Sequence, residues 1–395
     1  AIFLGAVGYP GVPDHISLWD LLLVIRKKFD QYINVRPVKL LHGAPTPLKD
    51  VTCEDIDMVF IRENSEGEYA GSGSWLYPGQ SNEVVIQNGV FSRKGCERVI
   101  RYAFELARAQ KKTLTSISKG NALNYSMVFW DQIFAEIGKE YPEVKTYSYL
   151  VDAASMFMIK DPKRFEIVVT SNLFGDILTD LGAAIAGGMG LAAGANINPE
   201  RKFPSMFEPI HGSAPDISGQ GKANPLATVW SASQLLDFFG YTDWGKVLID
   251  CIEEVLCEKK VLTADLGGTN STREVGDEII RKIEVKEDTE GKALDKWIAI
   301  IPRVLITDEY VVSDDNGYYR FNTETKVGKS ELEQTISVLT EMINITSQYF
   351  PILLLLTTPF LSMSLSLVQR KSKLPRINHF IFALHYTAFL EFLMI

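Results

Sequence analysis

The sequence has little of what secreted, zinc-binding and nucleic-acid-binding proteins rely on. Only 4 of its 395 residues are cysteine (Cys53, Cys96, Cys251, Cys257), and none forms a C-x-x-C pair. A disulfide framework and zinc-ribbon spacing are thereby excluded, and a reducing, cytoplasmic location is expected. Acidic residues outnumber basic ones, 49 to 40, for a formal charge of −9. A phosphate backbone would find little attraction, so no nucleic-acid partner is expected. Residues 1–8 (AIFLGAVG) have no Met, no basic segment and no cleavage-like site before them. They read as a buried strand entering a glycine turn, as in a chain that begins in mid-domain.

With 46% apolar residues, the chain can build one large or two ordinary domains, and a fibrous or wholly disordered protein is excluded. From residue 14 to about 280, short β-branched runs alternate with longer helical periods, the rhythm of an α/β domain. An amphipathic helix is expected over 18–33, with Arg26 on the inward stripe of Trp19, Leu22, Phe29 and Ile33 and so in need of a partner. Strands are expected at 57–61, ending at Arg62; at 113–118, leading to Lys119; and at 166–170, breaking at Ser171 and Asn172 into a helix. Past residue 284 the character changes. Residues 287–333 are charge-rich with weak periodicity, and 342–369 are 28 residues without a charge, followed by Arg370, Lys371, Lys373 and Arg376. That run exceeds the ~20 apolar residues that span a bilayer. Pro351, Pro359, Thr357, Thr358 and four serines dilute it, however, so a buried or aggregation-prone tail is favoured over membrane contact. The expected organisation is a domain over 1–283, a linker over 284–341 and an apolar tail over 342–395.

Three groups of residues carry chemistry. Asp176 and Asp180, four apart at the start of a helix that follows a strand, put two carboxylates on one side at a sheet edge. Such a pair repels unless a cation intervenes, and oxygen ligands favour Mg²⁺ or Mn²⁺; the competing reading is that both merely complement the helix dipole. Arg26, Arg36 and Arg62 would together suit a substrate with two carboxylates, although each alone reads as a structural ion pair. Tyr69 and Lys119 have the chemistry of a proton donor and a base. The third group is the loop FEPIHGSAPDISGQGKANP. Gly212, Ser213 and Ala214 allow close backbone approach to an adenosine or phosphate, and Asp216 can accept from a ribose hydroxyl pair while repelling a 2′-phosphate. The same loop reads equally as a Gly/Pro surface segment with an ordinary His211.

Taken in order, IRKKFDQYINVRP, FIRENSEGEYAG, SKGNAL, TSNLFGDILTDLGAAIAGGMGLAAGANI, HGSAPDISGQGKANP and TADLGGTNST resemble the β-decarboxylating dehydrogenases of isopropylmalate, isocitrate, homoisocitrate and tartrate/D-malate. The resemblance covers residues 1 to about 283. It implies an α/β fold, an isopropylmalate-dehydrogenase-like open sheet with flanking helices, whose first βα unit with its G-D-G-I-G turn is expected to be missing here.

Carried over by position, the resemblance implies that Arg26, Arg36 and Arg62 hold the substrate carboxylates. Asp176 and Asp180 would hold the divalent ion together with Asp152 of the partner subunit. Lys119 of the partner subunit would accept the 2-hydroxyl proton, and Tyr69 would protonate the enolate. Asn121, His211, Gly212, Ser213, Ala214, Asp216 and Asn224 would line the NAD site, Asp216 standing where NADP-specific relatives place a lysine. The expected partners are a small dicarboxylic acid and a second copy in a homodimer with shared sites. On the recognition helix, Trp19 stands one turn before Leu22 and Leu23, where isopropylmalate enzymes carry a glutamate, and HISLW resembles the tartrate and D-malate branch. A bulky indole favours a small third substituent. Oxidation of tartrate or D-malate, with or without decarboxylation, is expected, and 3-isopropylmalate is the runner-up. The truncated start and the unrelated tail also resemble a fragment or mispredicted gene product, so an inactive relic with a membrane-associating tail is the rival expectation.

Overall fold

A computed structural model describes residues 1–8, 11–290, 311–313 and 319–321 of the chain. The opening apolar segment is strand only over Ile2–Phe3 (β1), and it is half-buried rather than buried. The helix expected over 18–33 begins earlier and ends sooner. It consists of α1 (Asp14–Ser17), a π-helical turn (Leu18–Leu22) and α2 (Leu23–Lys28), and it stops where Asp30 turns to φ 42°. Ile33 belongs instead to β2 (Ile33–Lys39). Its β-branched residues and Pro37 favour extended backbone, and β2 gains ladders on both sides, which outweighs the helical period.

The chain continues through β3 (Asp57–Glu63), the hairpin β4 (Gly67–Leu76) and β5 (Val84–Val90), α3 (Arg93–Gln110), β6 (Leu114–Ser118), α4 (Ser126–Gly138), β7 (Thr146–Leu150) and α5 (Val151–Lys160). It then forms β8 (Ile167–Thr170), α6 (Asn172–Ile185), β9 (Ala193–Ile197), β10 (Met206–Pro209), α7 (Leu226–Phe238), α8 (Thr242–Glu258) and α9 (Thr272–Glu290). The strands at 57, 113 and 166 thus form within a residue or two of where the sequence places them.

One open sheet runs β10-β9-β2-β3-β8-β6-β7. The half from β3 to β7 is parallel, and β2, β9 and β10 are antiparallel additions. Parallel strands covered on both faces should be apolar throughout, and Ile167–Thr170 are all buried. One core lies between α5, α6 and the centre of the sheet, around Met58, Phe60, Val168 and Leu178; another joins α7, α8 and α9 around Trp230, Ile252 and Ile279.

Contacts divide the chain into two units, Phe3–Asp308 and a second comprising Ala1–Ile2 and Glu309–Ile395. What is described of the second, beyond Ala1–Ile2, is an antiparallel pair, β11 (Val311–Ser313) and β12 (Tyr319–Phe321). The apolar tail expected at 342–395 and most of the expected linker lie outside the described residues. Among the described residues, no helix is long and apolar enough to cross a membrane.

The packing of α6 on the sheet allows a direct check. A Cβ at Gly182 would lie 2.6 and 2.9 Å from the two methyl carbons of Val38. Gly182→Ala is therefore expected to destabilise the fold by about 1–3 kcal/mol through overpacking, despite alanine's better helix propensity. A lowered urea midpoint would show it; an unchanged or raised midpoint would mean α6 can lift off β2 at no cost.

Candidate active site

The candidate residues gather at the carboxyl ends of adjacent parallel strands, where open α/β sheets hold ligands. Arg62 is near the end of β3, Asn172 and Asp176 follow β8, Lys119 follows β6 and Asp152 follows β7.

The three arginines are buried, 5%, 5% and 1% exposed for Arg26, Arg36 and Arg62, too little for water to solvate their charges. The Nε and Nη2 of Arg62 donate to Asn172 Oδ1 at 3.0 and 2.7 Å, and its Nη1 donates to Asp176 Oδ1 at 2.6 Å. Arg36 donates from Nε to Asn34 Oδ1 (2.6 Å) and from Nη1 to Thr179 Oγ1 (2.7 Å), with Asp176 Oδ1 at 3.3 Å. The partner Arg26 requires is Glu208: its Nη2 donates to Oε1 at 2.9 Å, while its buried Nε has no partner among the described residues. Three guanidiniums thus face two carboxylates. Burial and the adjacent Arg36 push Arg62 down to about 9 in spite of Asp176.

Asp176 is the hub. Its Oδ2 accepts from the Tyr69 hydroxyl at 2.9 Å. Burial alone would raise its pKa, but Arg62, Arg36 and the Tyr69 hydrogen bond hold it below its ordinary value of 3.8. Burial and the Asp176 charge push Tyr69 the other way, up to about 12, so the phenol keeps its proton. The cation the sequence requires beside Asp176 is therefore already present as two guanidiniums. Asp180 is different: it is exposed, makes no hydrogen bond or ion pair among the described residues, and partial burial raises its pKa against the pull of Arg36, with the Asp176 charge adding to the rise. Its free carboxylate and the solvent-facing edge of Asp176 fit a hard divalent ion in donor chemistry. Two carboxylates are few, and among the described residues no group of three or more His, Cys, Asp or Glu could hold an ion.

Lys119 and Asp152 form a second group, with Lys119 Nζ donating to Asp152 Oδ1 at 2.7 Å and holding that carboxyl below its ordinary value. No hydrogen bond or ion pair joins this group to the arginine cluster among the described residues. Trp19 lies on the hairpin: a Cβ on Gly71, two residues from Tyr69, would come within 3.0 and 3.1 Å of its indole carbons, and Lys27 Nζ caps the ring at 4.6 Å. Leu22 is half-buried, but Leu23 is a core residue at 3% exposure.

The loop after β10 presents its expected residues to solvent. Gly212, Ala214 and Asp216 are exposed, and His211 and Ser213 half-buried. Ala214 takes the left-handed φ of 43°, and Ser213 packs so closely on Gly8 that a side chain there would collide with its Oγ. Asn224 is buried and donates to Asp265 Oδ2 at 2.9 Å. Exposed backbone beside an uncommitted Asp216 suits a nucleotide ribose. Asn121 is exposed and makes no hydrogen bond to this loop.

Residues 1–279 match the isocitrate/isopropylmalate dehydrogenase family. The chain belongs to this family. Members are oxidoreductases, and the most similar relatives include a probable tartrate dehydrogenase/decarboxylase of Bacillus subtilis strain 168, 48% identical over 284 residues, 72% of this chain and 79% of that protein. A D-malate dehydrogenase (decarboxylating) of Escherichia coli K12 is 48% identical over 290 residues, 72% and 80% of the two chains. A 3-isopropylmalate dehydrogenase of Thermobifida fusca YX is 50% identical over 284 residues, 72% and 79%. Among solved structures, isocitrate dehydrogenase from Methylococcus capsulatus superposes with a TM-score of 0.64 at 35% identity, over 71% of this chain and 80% of that one.

Set on this family fold, the residues that sequence reasoning passed over are those that hold its candidates in place: Asn172, Thr179, Asn34, Glu208 and Asp265. The signal for two of them was visible. Asn34 and Arg36 are two apart on a strand and so share a face, and Glu208 stands inside the quoted loop motif.

Because the folded chain keeps Asp176 ionised to lower pH than the unfolded chain does, its stabilisation is complete above 3.8 and is lost as pH falls through the lower folded value. Asp176→Asn is expected to cost roughly 1–2 kcal/mol at neutral pH, the buried-pair penalty reduced for solvent on its outer edge. The difference in urea midpoints should close in acid. A difference that is the same at every pH would mean the carboxylate charge is not what Arg62 and Arg36 use.

Proposed function

We propose that the chain is an NAD- and divalent-metal-dependent dehydrogenase that oxidises a small 2-hydroxy diacid such as D-malate or tartrate, with or without loss of the β-carboxylate. The supporting observation is the buried arginine cluster, three guanidiniums gathered at one sheet edge whose direct ion pairs go to two carboxylates, Glu208 and Asp176.

In this reading Arg26, Arg36 and Arg62 orient both carboxylates of the substrate. Lys119 of a second copy takes the 2-hydroxyl proton. Tyr69, which keeps its proton up to about 12, returns one to the carbon that loses carbon dioxide. NAD, lined by Asn121, His211, Gly212, Ser213, Ala214, Asp216 and Asn224, supplies the hydride acceptor. The divalent ion, held by Asp176, Asp180 and Asp152 of the second copy, supplies Lewis acidity.

A homodimer is part of this proposal. Among the described residues the Lys119–Asp152 pair makes no hydrogen bond or ion pair with Asp176, and the β4–β5 hairpin exposes Trp75, Val84, Val85 and Ile86, a two-stranded element marginal on its own. A cytoplasmic location also belongs to it. The Thermobifida relative keeps 3-isopropylmalate as a second reading. The indole of Trp19 over Gly71 narrows the space beside Tyr69 and favours the smaller acids.

NADH production from D-malate or tartrate with Mn²⁺, exceeding that from 3-isopropylmalate, is the test. Asp176→Asn and Lys119→Met should each abolish it, and mixing the two inactive variants should restore up to about a quarter of wild-type activity, since half the dimers are mixed and one site in each is intact. A soluble, dimeric chain inert with every diacid would overturn the proposal, and a mixture as inactive as its parts would overturn shared sites.

A further inference from the structure

Behind the arginine cluster lies a series of buried polar groups that crosses four strands. Arg62 on β3 faces Asn34 on β2, and Asn34 faces Asn196 on β9. Arg36 Nε donates to Asn34 Oδ1, Asn34 Nδ2 to Asn196 Oδ1 at 3.0 Å, and Asn196 Nδ2 to Glu208 Oε1 on β10 at 2.7 Å. The same Glu208 oxygen accepts from Arg26 at 2.9 Å. Asn64 Nδ2 gives Asn196 Oδ1 a second hydrogen bond at 3.0 Å. Asn34, Asn196 and Glu208 are 1%, 0% and 5% exposed.

Every amide in this series donates in one direction, from Arg36 toward the Glu208 carboxylate, so each bond polarises the next. Glu208 therefore serves two arginines: Arg26 directly and Arg36 through Asn34 and Asn196. Burial lowers the pKa of Arg36, and the Glu208 charge adds to the opposing pull of Asp176 and Asp180.

We propose that Glu208 is a second resident counter-ion of the arginine cluster, beside Asp176, and tunes its affinity for diacids. This rests on the reading of the cluster as the diacid site. In the unliganded chain Glu208 holds Arg26 directly, and Arg36 through Asn34 and Asn196, in place against the mutual repulsion of the guanidiniums. In the liganded one it opposes the incoming carboxylates and keeps binding weak enough for release. A residue that merely held β10 would act differently: β10 runs directly into the loop 210–225, so its disturbance would reach the nucleotide site as well.

The sign of the effect separates the two roles. Because both hydrogen bonds end on one oxygen, Glu208→Gln can keep them and lose only the charge. Equilibrium titration of the full chain with succinate, a diacid with no hydroxyl to oxidise, and with NAD, at low ionic strength, reads the result. Glu208→Gln should bind succinate about three- to tenfold more tightly, leave NAD affinity within about twofold of wild type and lower the melting temperature of the unliganded chain. Glu208→Asp, which keeps the charge but draws it back by one methylene, should tighten succinate binding by less than Glu208→Gln does, and it keeps the idea testable if the glutamine variant does not fold. Unchanged or weaker succinate binding in Glu208→Gln, or an equal change in NAD affinity, overturns the counter-ion role while leaving the diacid site standing. A wild-type chain that binds no succinate overturns the site and the counter-ion together.

Discussion

Mutual repulsion among three buried guanidiniums is the constraint that organises this fold's central edge. Such charges lose their hydration on burial and are tolerated only when paired and hydrogen-bonded. The chain meets the requirement with carboxylates from opposite sides of the sheet order, Asp176 from α6 and Glu208 from β10, and with neutral acceptors on Asn172, Thr179 and Asn34. Close packing follows from it. A Cβ at Gly175 would lie 2.6 Å from Arg62 Cγ, so the first turns of α6 can sit on the arginine only because glycine is there.

The same constraint sets the chemistry of the neighbours. With two cations on Asp176, its carboxyl stays ionised, and that fixed negative charge is part of what keeps the Tyr69 phenol protonated. Burial first, and then the adjacent Asp176 charge and hydrogen bond, hold the proton on the Tyr69 phenol more firmly than on an ordinary tyrosine.

Much of the fold was legible because its strands are continuous apolar runs ending in polar residues at the carboxyl edge: 57–61 into Arg62, 113–118 into Lys119, 166–170 into Ser171. The helix over 18–33 was misplaced because Phe29 and Ile33 continue the helical period, while the decisive contacts of Ile33 and Val35 are with β3 and β9, far away in sequence. The candidate residues themselves were legible as motifs, but not their grouping. No local pattern says that Arg26 meets Glu208 across 182 positions, or that Asn34 meets Asn196 across 162, because sheet order decides it. Nor could spacing show that Lys119 and Asp152 pair with each other.

The most direct test of the central claim is a crystal structure of the chain with tartrate bound in the absence of NAD. The arginine cluster as diacid site predicts both tartrate carboxylates within hydrogen-bond distance of the guanidiniums of Arg26, Arg36 and Arg62, with Glu208 still against Arg26. Tartrate bound elsewhere, or held by none of the three arginines, would contradict it.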